Sequence, residues 1–98
     1  MAKKLTSINI IKGLESHSVE IHKFSVKKIG LFGSYLKKPT KKSDIDFLVT
    51  FEKSTFDNYM GLKFLLERLF HKKVDIVIEE DLKPALEYVK EGAVYATT

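Results

Sequence analysis

The chain has 98 residues, 17 Lys+Arg against 13 Asp+Glu for a formal charge of +4, 44% hydrophobic residues, and neither Cys nor Trp. That length suits a single domain spanning residues 1–98 around one core. The lack of Cys excludes a disulfide framework, a thiolate zinc site and a thiol nucleophile. The longest apolar runs fall far short of the ~18 residues of a membrane span. Met1 to Ser7 is polar and lacks the apolar stretch of a signal peptide. The expectation is a soluble cytoplasmic domain with no membrane partner.

Ile8, Ile11, Leu14 and Ile21 recur near helical spacing, so Ser7 to His22 is predicted as a first amphipathic helix, capped by Thr6 or Ser7. Val26 to Phe32 (VKKIGLF) is β-rich and runs into Gly33, a strand feeding a tight turn. Ser34 to Lys38 begins a short helix that Pro39 stops. Ile45 to Phe51 (IDFLVTF) is a second strand. Phe56 to Phe70 carries Tyr59, Leu62, Leu66, Leu69 and Phe70 on one face, a helix with Ser54, Thr55 or Asp57 near its start. The spacing of Phe56, Tyr59, Phe64 and Phe70 assigns these aromatics to the core. Val74 to Ile78 (VDIVI) is a third strand. Pro84 opens a last helix, with Leu86, Val89 and Val94 facing inward and Gly92 near its end. Helices alternating with strands predict an α/β domain, a small mixed sheet flanked by helices.

Chemistry concentrates where Gly33-Ser34 is followed, nine residues later, by Asp44-Ile45-Asp46. Residues i and i+2 of a strand face the same way, which presents Asp44 and Asp46 together, about 7 Å apart. Such carboxylates repel each other unless a cation lies between them, and Mg²⁺ takes hard oxygen ligands of this kind. A turn after an apolar strand is free to aim backbone N–H groups and the Ser34 hydroxyl at an anion. The short loop back to Asp44 puts the turn and the carboxylates at one end of the sheet.

Asp75 interrupts an otherwise apolar strand, where an unpaired carboxylate is costly to bury. With the second and third strands side by side and their beginnings aligned, it joins Asp44 and Asp46. Three convergent carboxylates suit two Mg²⁺ ions and in-line attack on phosphorus. The blander alternative is an exposed edge residue, or a partner for Lys72 or Lys73. Lys37, Lys38, Lys41 and Lys42 fill the intervening loop, and without them the chain has 13 cations and 13 acids. The whole formal excess therefore lies between the two halves of the candidate site, where it would neutralise a triphosphate. His17, His22 and His71 have no ligand-like spacing and are expected at the surface or at helix ends.

The stretch LFGSYLKKPTKKSDIDFLVTF, followed after a helix by KKVDIVI, resembles the minimal nucleotidyltransferases of the DNA polymerase-β superfamily. The resemblance runs from Val26 to Tyr95. It implies a polymerase-β-like nucleotidyltransferase fold, two Mg²⁺ ions, and transfer of a nucleoside monophosphate with release of pyrophosphate. By position, Gly33 and Ser34 would hold the triphosphate, with Lys37 and Lys42 adding charge. Asp44 and Asp46 would bridge the metals, and Asp75 would bind the catalytic one and help activate the attacking hydroxyl. Relatives of this kind serve as antitoxins that adenylylate a tyrosine of a HEPN-domain toxin from ATP, so that partner is implied as well. After Gly-Ser the family carries a small residue, an Arg and a Gly, where this chain has Tyr35-Leu36-Lys37-Lys38. Two other readings compete: an antitoxin that neutralises its partner by occlusion alone, and a small RNA-binding domain. The scarcity of Arg and of a stacking surface disfavours a nucleic-acid partner.

Overall fold

A computed structural model describes residues 6–36, 44–79 and 92–97. Ser7–Ser16 forms helix α1, capped by Thr6, whose hydroxyl accepts the Asn9 N–H at 3.2 Å. The single helix expected to His22 is broken at His17. There the backbone leaves helical geometry (φ −114°, ψ 28°), and α2 follows over Ser18–His22. The His17 N–H bonds back three residues to the Leu14 carbonyl, while its ring Nδ1 donates to the Gly13 carbonyl at 3.0 Å. The ring thus satisfies a carbonyl that the backbone no longer serves.

Strand β1 spans Val26–Phe32, a 3₁₀ turn covers Gly33–Leu36, and β2 spans Ile45–Phe51. Helix α3 (Phe56–Phe70) is capped by the Thr55 hydroxyl and ends at His71, which adopts a left-handed conformation (φ 53°). Strand β3 (Val74–Ile78) returns parallel to β2. α3 supplies the crossover that a parallel pair requires. It also fixes the head of β3, because the Glu67 carboxylate accepts the Val74 N–H at 3.1 Å. The bounds of β1, β2, α3 and β3 match those expected from sequence.

Among the described residues, four strands form one mixed sheet in the order β3-β2-β1-β4. The fourth, β4 (Val94–Tyr95), corrects the expectation that Val94 faces inward from a helix. It pairs antiparallel with β1 and leaves Val94 47% exposed. Most of the last expected helix lies outside the described residues.

One face of the sheet presents Ile45, Phe47, Val49 and Phe51, buried against Ile10 and Leu14 of α1, Ile21 of α2, and Leu62, Leu65 and Leu66 of α3. Phe47 and Phe70 stack with ring centroids 6.1 Å apart. Phe56 and Phe64, expected in the core, are 76% and 61% exposed. The alternate residues of β2, Asp46, Leu48 and Thr50, face the other side. There Glu79 gathers the far end of the sheet: it accepts from the Thr50 hydroxyl and from the Tyr95 hydroxyl at 3.4 Å, and pairs with the Lys28 ammonium at 4.0 Å. No described helix is long and apolar enough to cross a membrane.

Candidate functional site

Antiparallel pairing makes β1 end where β2 begins, with Phe32 opposite Asp46. Parallel pairing makes β2 and β3 begin together, with Asp46 opposite Asp75 and Ile45 opposite Val74. The turn after β1 and the carboxylates of β2 and β3 therefore meet at one end of the sheet. Asp46 is the second residue of β2 and half-buried, Asp75 is the second residue of β3 and exposed, and Asp44 lies exposed just before β2. The alignment of strand beginnings inferred from sequence is what the structure contains.

Gly33 sits directly against this group. Its φ of +83° is one that side chains rarely tolerate. A Cβ added there would collide with the Asp46 carboxylate and lie 3.2 Å from Cγ and 3.3 Å from Cβ of the same residue. Only glycine lets the turn approach the carboxylate so closely. The backbone of Ser34 continues the 3₁₀ turn. The Ser34 side chain and all of Lys37 and Lys42 lie outside the described residues.

Electrostatics confirm that the carboxylates sense one another. Burial, then the charge of Asp75, then that of Asp44 push the Asp46 pKa above its ordinary 3.8. Every one of these influences disfavours the anion, and a cation between the carboxylates would offset them. The donors are hard oxygens, the set Mg²⁺ prefers. Among the described residues no three His, Asp or Glu side chains form a ready-made metal cage. The Asp46 and Asp75 carboxylates, opposite each other across β2 and β3, are nonetheless hard-oxygen donors of the kind that suit a divalent ion.

One contact of the turn was not legible in sequence. Tyr35, next to Ser34, is buried at 4% exposure and belongs to the core. The Lys72 ammonium stands 5.8 Å from its ring centroid. In sequence Lys72 is only one of two lysines before β3, and no spacing signal links it to Tyr35. His17, His22 and His71 fall at helix ends, as expected.

Comparison with known proteins agrees with this architecture. The family of nucleotidyltransferase domains matches residues 11–96. The protein adenylyltransferase MntA of Thermococcus cleftensis is 36% identical over 85 residues, covering 84% of this chain and 86% of its own. A candidate protein adenylyltransferase of Methanocaldococcus jannaschii is 43% identical over 63 residues, 62% of this chain and 64% of its own. Among solved structures, a candidate minimal nucleotidyltransferase superposes with a TM-score of 0.80 at 29% identity, covering 95% of this chain and 98% of that one. A chain of the MntA–HpeT toxin–antitoxin complex superposes with a TM-score of 0.63 at 25% identity, covering 97% of this chain and 76% of that one.

Proposed function

Since the chain belongs to the nucleotidyltransferase domain family and has the polymerase-β-like fold, we propose that it transfers AMP from ATP to a hydroxyl of a partner protein, a toxin that it thereby silences. The observation that carries this reading is the register Asp46↔Asp75 with Gly33 pressed against the Asp46 carboxylate. The adenylyltransferase named among the relatives and the toxin–antitoxin complex among the structural neighbours support the nucleotide and the kind of partner. The resemblance noted from sequence narrows the acceptor further, to a tyrosine of a HEPN-domain toxin.

In this reading Asp44, Asp46 and Asp75 would hold two Mg²⁺ ions, which would supply positive charge to offset that of the triphosphate and of the departing pyrophosphate. Gly33 admits the triphosphate close to the carboxylates, and the N–H groups of the turn with the Ser34 hydroxyl hold its oxygens. Lys37 and Lys42 balance the remaining negative charge. Asp75 draws the proton from the acceptor hydroxyl. The hydroxyl oxygen then bonds to the α-phosphorus, the bond from that phosphorus to the bridging oxygen breaks, and pyrophosphate leaves. The protein's contribution is positioning and preorganised charge.

Incubating the chain with its partner, labelled ATP and Mg²⁺ is expected to label the partner. Asp44→Ala and Asp46→Ala are each expected to abolish that labelling. Undiminished labelling by both variants would overturn the assignment of the carboxylates.

A further inference from the structure

Helix α3 buries Leu62, Leu65 and Leu66 against the sheet. Its outward side carries a second apolar feature. Phe56, Met60 and Phe64 recur at every fourth residue, so they form one ridge along the helix. Phe56 and Phe64 are 76% and 61% exposed, and Met60 is half-buried. Single exposed apolar residues are ordinary on a protein surface, whereas two phenylalanines sharing a ridge make a continuous patch.

The charges beside the ridge indicate what covers it. Asp57 in the first turn and Arg68 in the last are both exposed. Position 68 is 11 residues beyond position 57, close to three whole turns, so the two lie nearly in line on one flank, about 16 Å apart. Complementing the helix dipole alone would put an acid and a base in these turns without giving them a common flank. An antiparallel copy of α3, related by a two-fold axis midway between the two charges, sets each Asp57 opposite the other copy's Arg68. The same axis passes within half a turn of Phe64, which brings the two Phe64 rings together at its centre. A parallel copy would set like charges side by side.

We propose that the outward ridge of α3 is a homodimer interface, on which a second copy of this chain packs antiparallel through Phe64 and pairs Asp57 with Arg68. Contact confined to a helix of 15 residues is at the small end of protein interfaces, so the dimer is weak and concentration-dependent. Asp46 faces the side of the sheet away from α3, and pairing therefore leaves both carboxylate sites uncovered.

The test is sedimentation equilibrium of the full chain over a concentration series, with thermal unfolding of each variant as a check on folding. The parent is expected to pass from monomer to dimer as concentration rises. Phe64→Gln, at an exposed position, removes the central apolar contact and is expected to weaken association by about tenfold or more. Phe64→Lys replaces it should that variant not fold. Asp57→Lys and Arg68→Glu each set like charges opposite one another, and each is expected to weaken self-association by about tenfold. Mixed one to one, these two variants restore opposite charges at both pairs and are expected to associate as the parent does. A parent that stays monomeric at every concentration overturns the proposal, as does a dimer indifferent to Phe64→Gln or to both charge reversals. Reversals that weaken the dimer without recovery on mixing overturn the antiparallel pairing. A monomeric parent that binds a toxin partner and loses it on Phe64→Gln assigns the ridge to that partner and overturns the second copy.

Discussion

Gly33→Ala tests whether the turn and the carboxylates form one unit. The backbone holds φ at +83°, so an alanine carries the left-handed penalty of about 1–2 kcal/mol. For a domain of this length that corresponds to a fall in melting temperature of about 4–16 °C. The second effect is steric. The new methyl would overlap the Asp46 carboxylate and crowd Cγ at 3.2 Å and Cβ at 3.3 Å. A terminal carboxylate rotates away cheaply, so this clash should cost less in stability than in aim. Asp46 Cβ is fixed to β2 and cannot retreat without moving the strand by a few tenths of an ångström. The expected outcome is a modestly destabilised, folded protein whose affinity for MgATP falls by more than its stability loss explains. In an Asp46→Ala background, Gly33→Ala should keep the backbone part of its cost and the crowding at Cβ of residue 46, and lose only the clash with the carboxylate. Thermal unfolding and calorimetry of the four proteins in the cycle measure this. A Gly33→Ala protein that binds MgATP as the parent does would refute the reasoning.

The remaining predictions concern the two polar ends of the open sheet face. Because burial, Asp75 and Asp44 raise the Asp46 pKa above 3.8, the folded chain binds that proton more tightly than the unfolded chain does. Stability from this group is therefore full below about pH 3.8 and lost as pH rises through the folded value. Asp46→Asn should melt higher than the parent at pH 7 in EDTA, by the 0.2–1 kcal/mol typical of partly exposed charges, about 1–8 °C, with the gap closing near pH 4. Calorimetry at both pH values checks this, and an equal or lower melting temperature at pH 7 would remove the repulsion. At the other end, Tyr95→Phe deletes the hydroxyl that donates to Glu79 at 3.4 Å but keeps the ring on Gly30. It should cost about 0.5–1.5 kcal/mol and speed hydrogen exchange at the Ala96 N–H, which bonds to the Ile29 carbonyl. Unchanged exchange there would show that the clasp does not hold β4. Burial and Glu79 also push the Tyr95 phenol above its usual 10, so the clasp should persist to that pH and fail above the raised value.

What was legible follows from the range of the forces involved. β1, β2 and β3 each combine β-branched or aromatic runs with a local boundary, such as Gly33 after β1, and α3 has its Thr55 cap, so local chemistry marks their limits. The break at His17 involves no Gly or Pro. It depends on a ring nitrogen reaching the Gly13 carbonyl, which periodicity does not encode. β4 has two residues and exists through its pairing with Gly30 and Leu31, some 64 positions away. Phe64 lies two residues from both Leu62 and Leu66, which turns it away from the face they bury, a phase that aromatic content alone obscures. Asp75 joins Asp44 and Asp46 only through the parallel pairing of β2 and β3, so it was a conditional expectation, while the Asp44–Asp46 pair, set by strand phase, was legible directly. The contact of Lys72 with Tyr35 was not, since it requires the parallel pairing of β2 and β3 to be formed first.

The position of the acids explains why this small sheet tolerates them. In an all-parallel sheet, ligands gather beyond the carboxyl ends of the strands. Here β1 runs against β2 and β3, so its carboxyl end and their amino ends share one edge. That arrangement juxtaposes a tight turn, whose N–H groups suit anions, with strand heads, whose alternating side chains suit a cation. The second residue of β2 and the second of β3 then fall on the open face, while Ile45 and Val74 beside them are fully or almost fully buried and anchor both strand heads in the core. Moving Asp46 by one position would bury its charge among Phe47 and Ile45. The repulsion that raises the Asp46 pKa is thus confined to an edge where solvent relieves it. A stability-driven sequence would place a neutral residue at that position. Retaining an acid there is intelligible as the cost of a binding site.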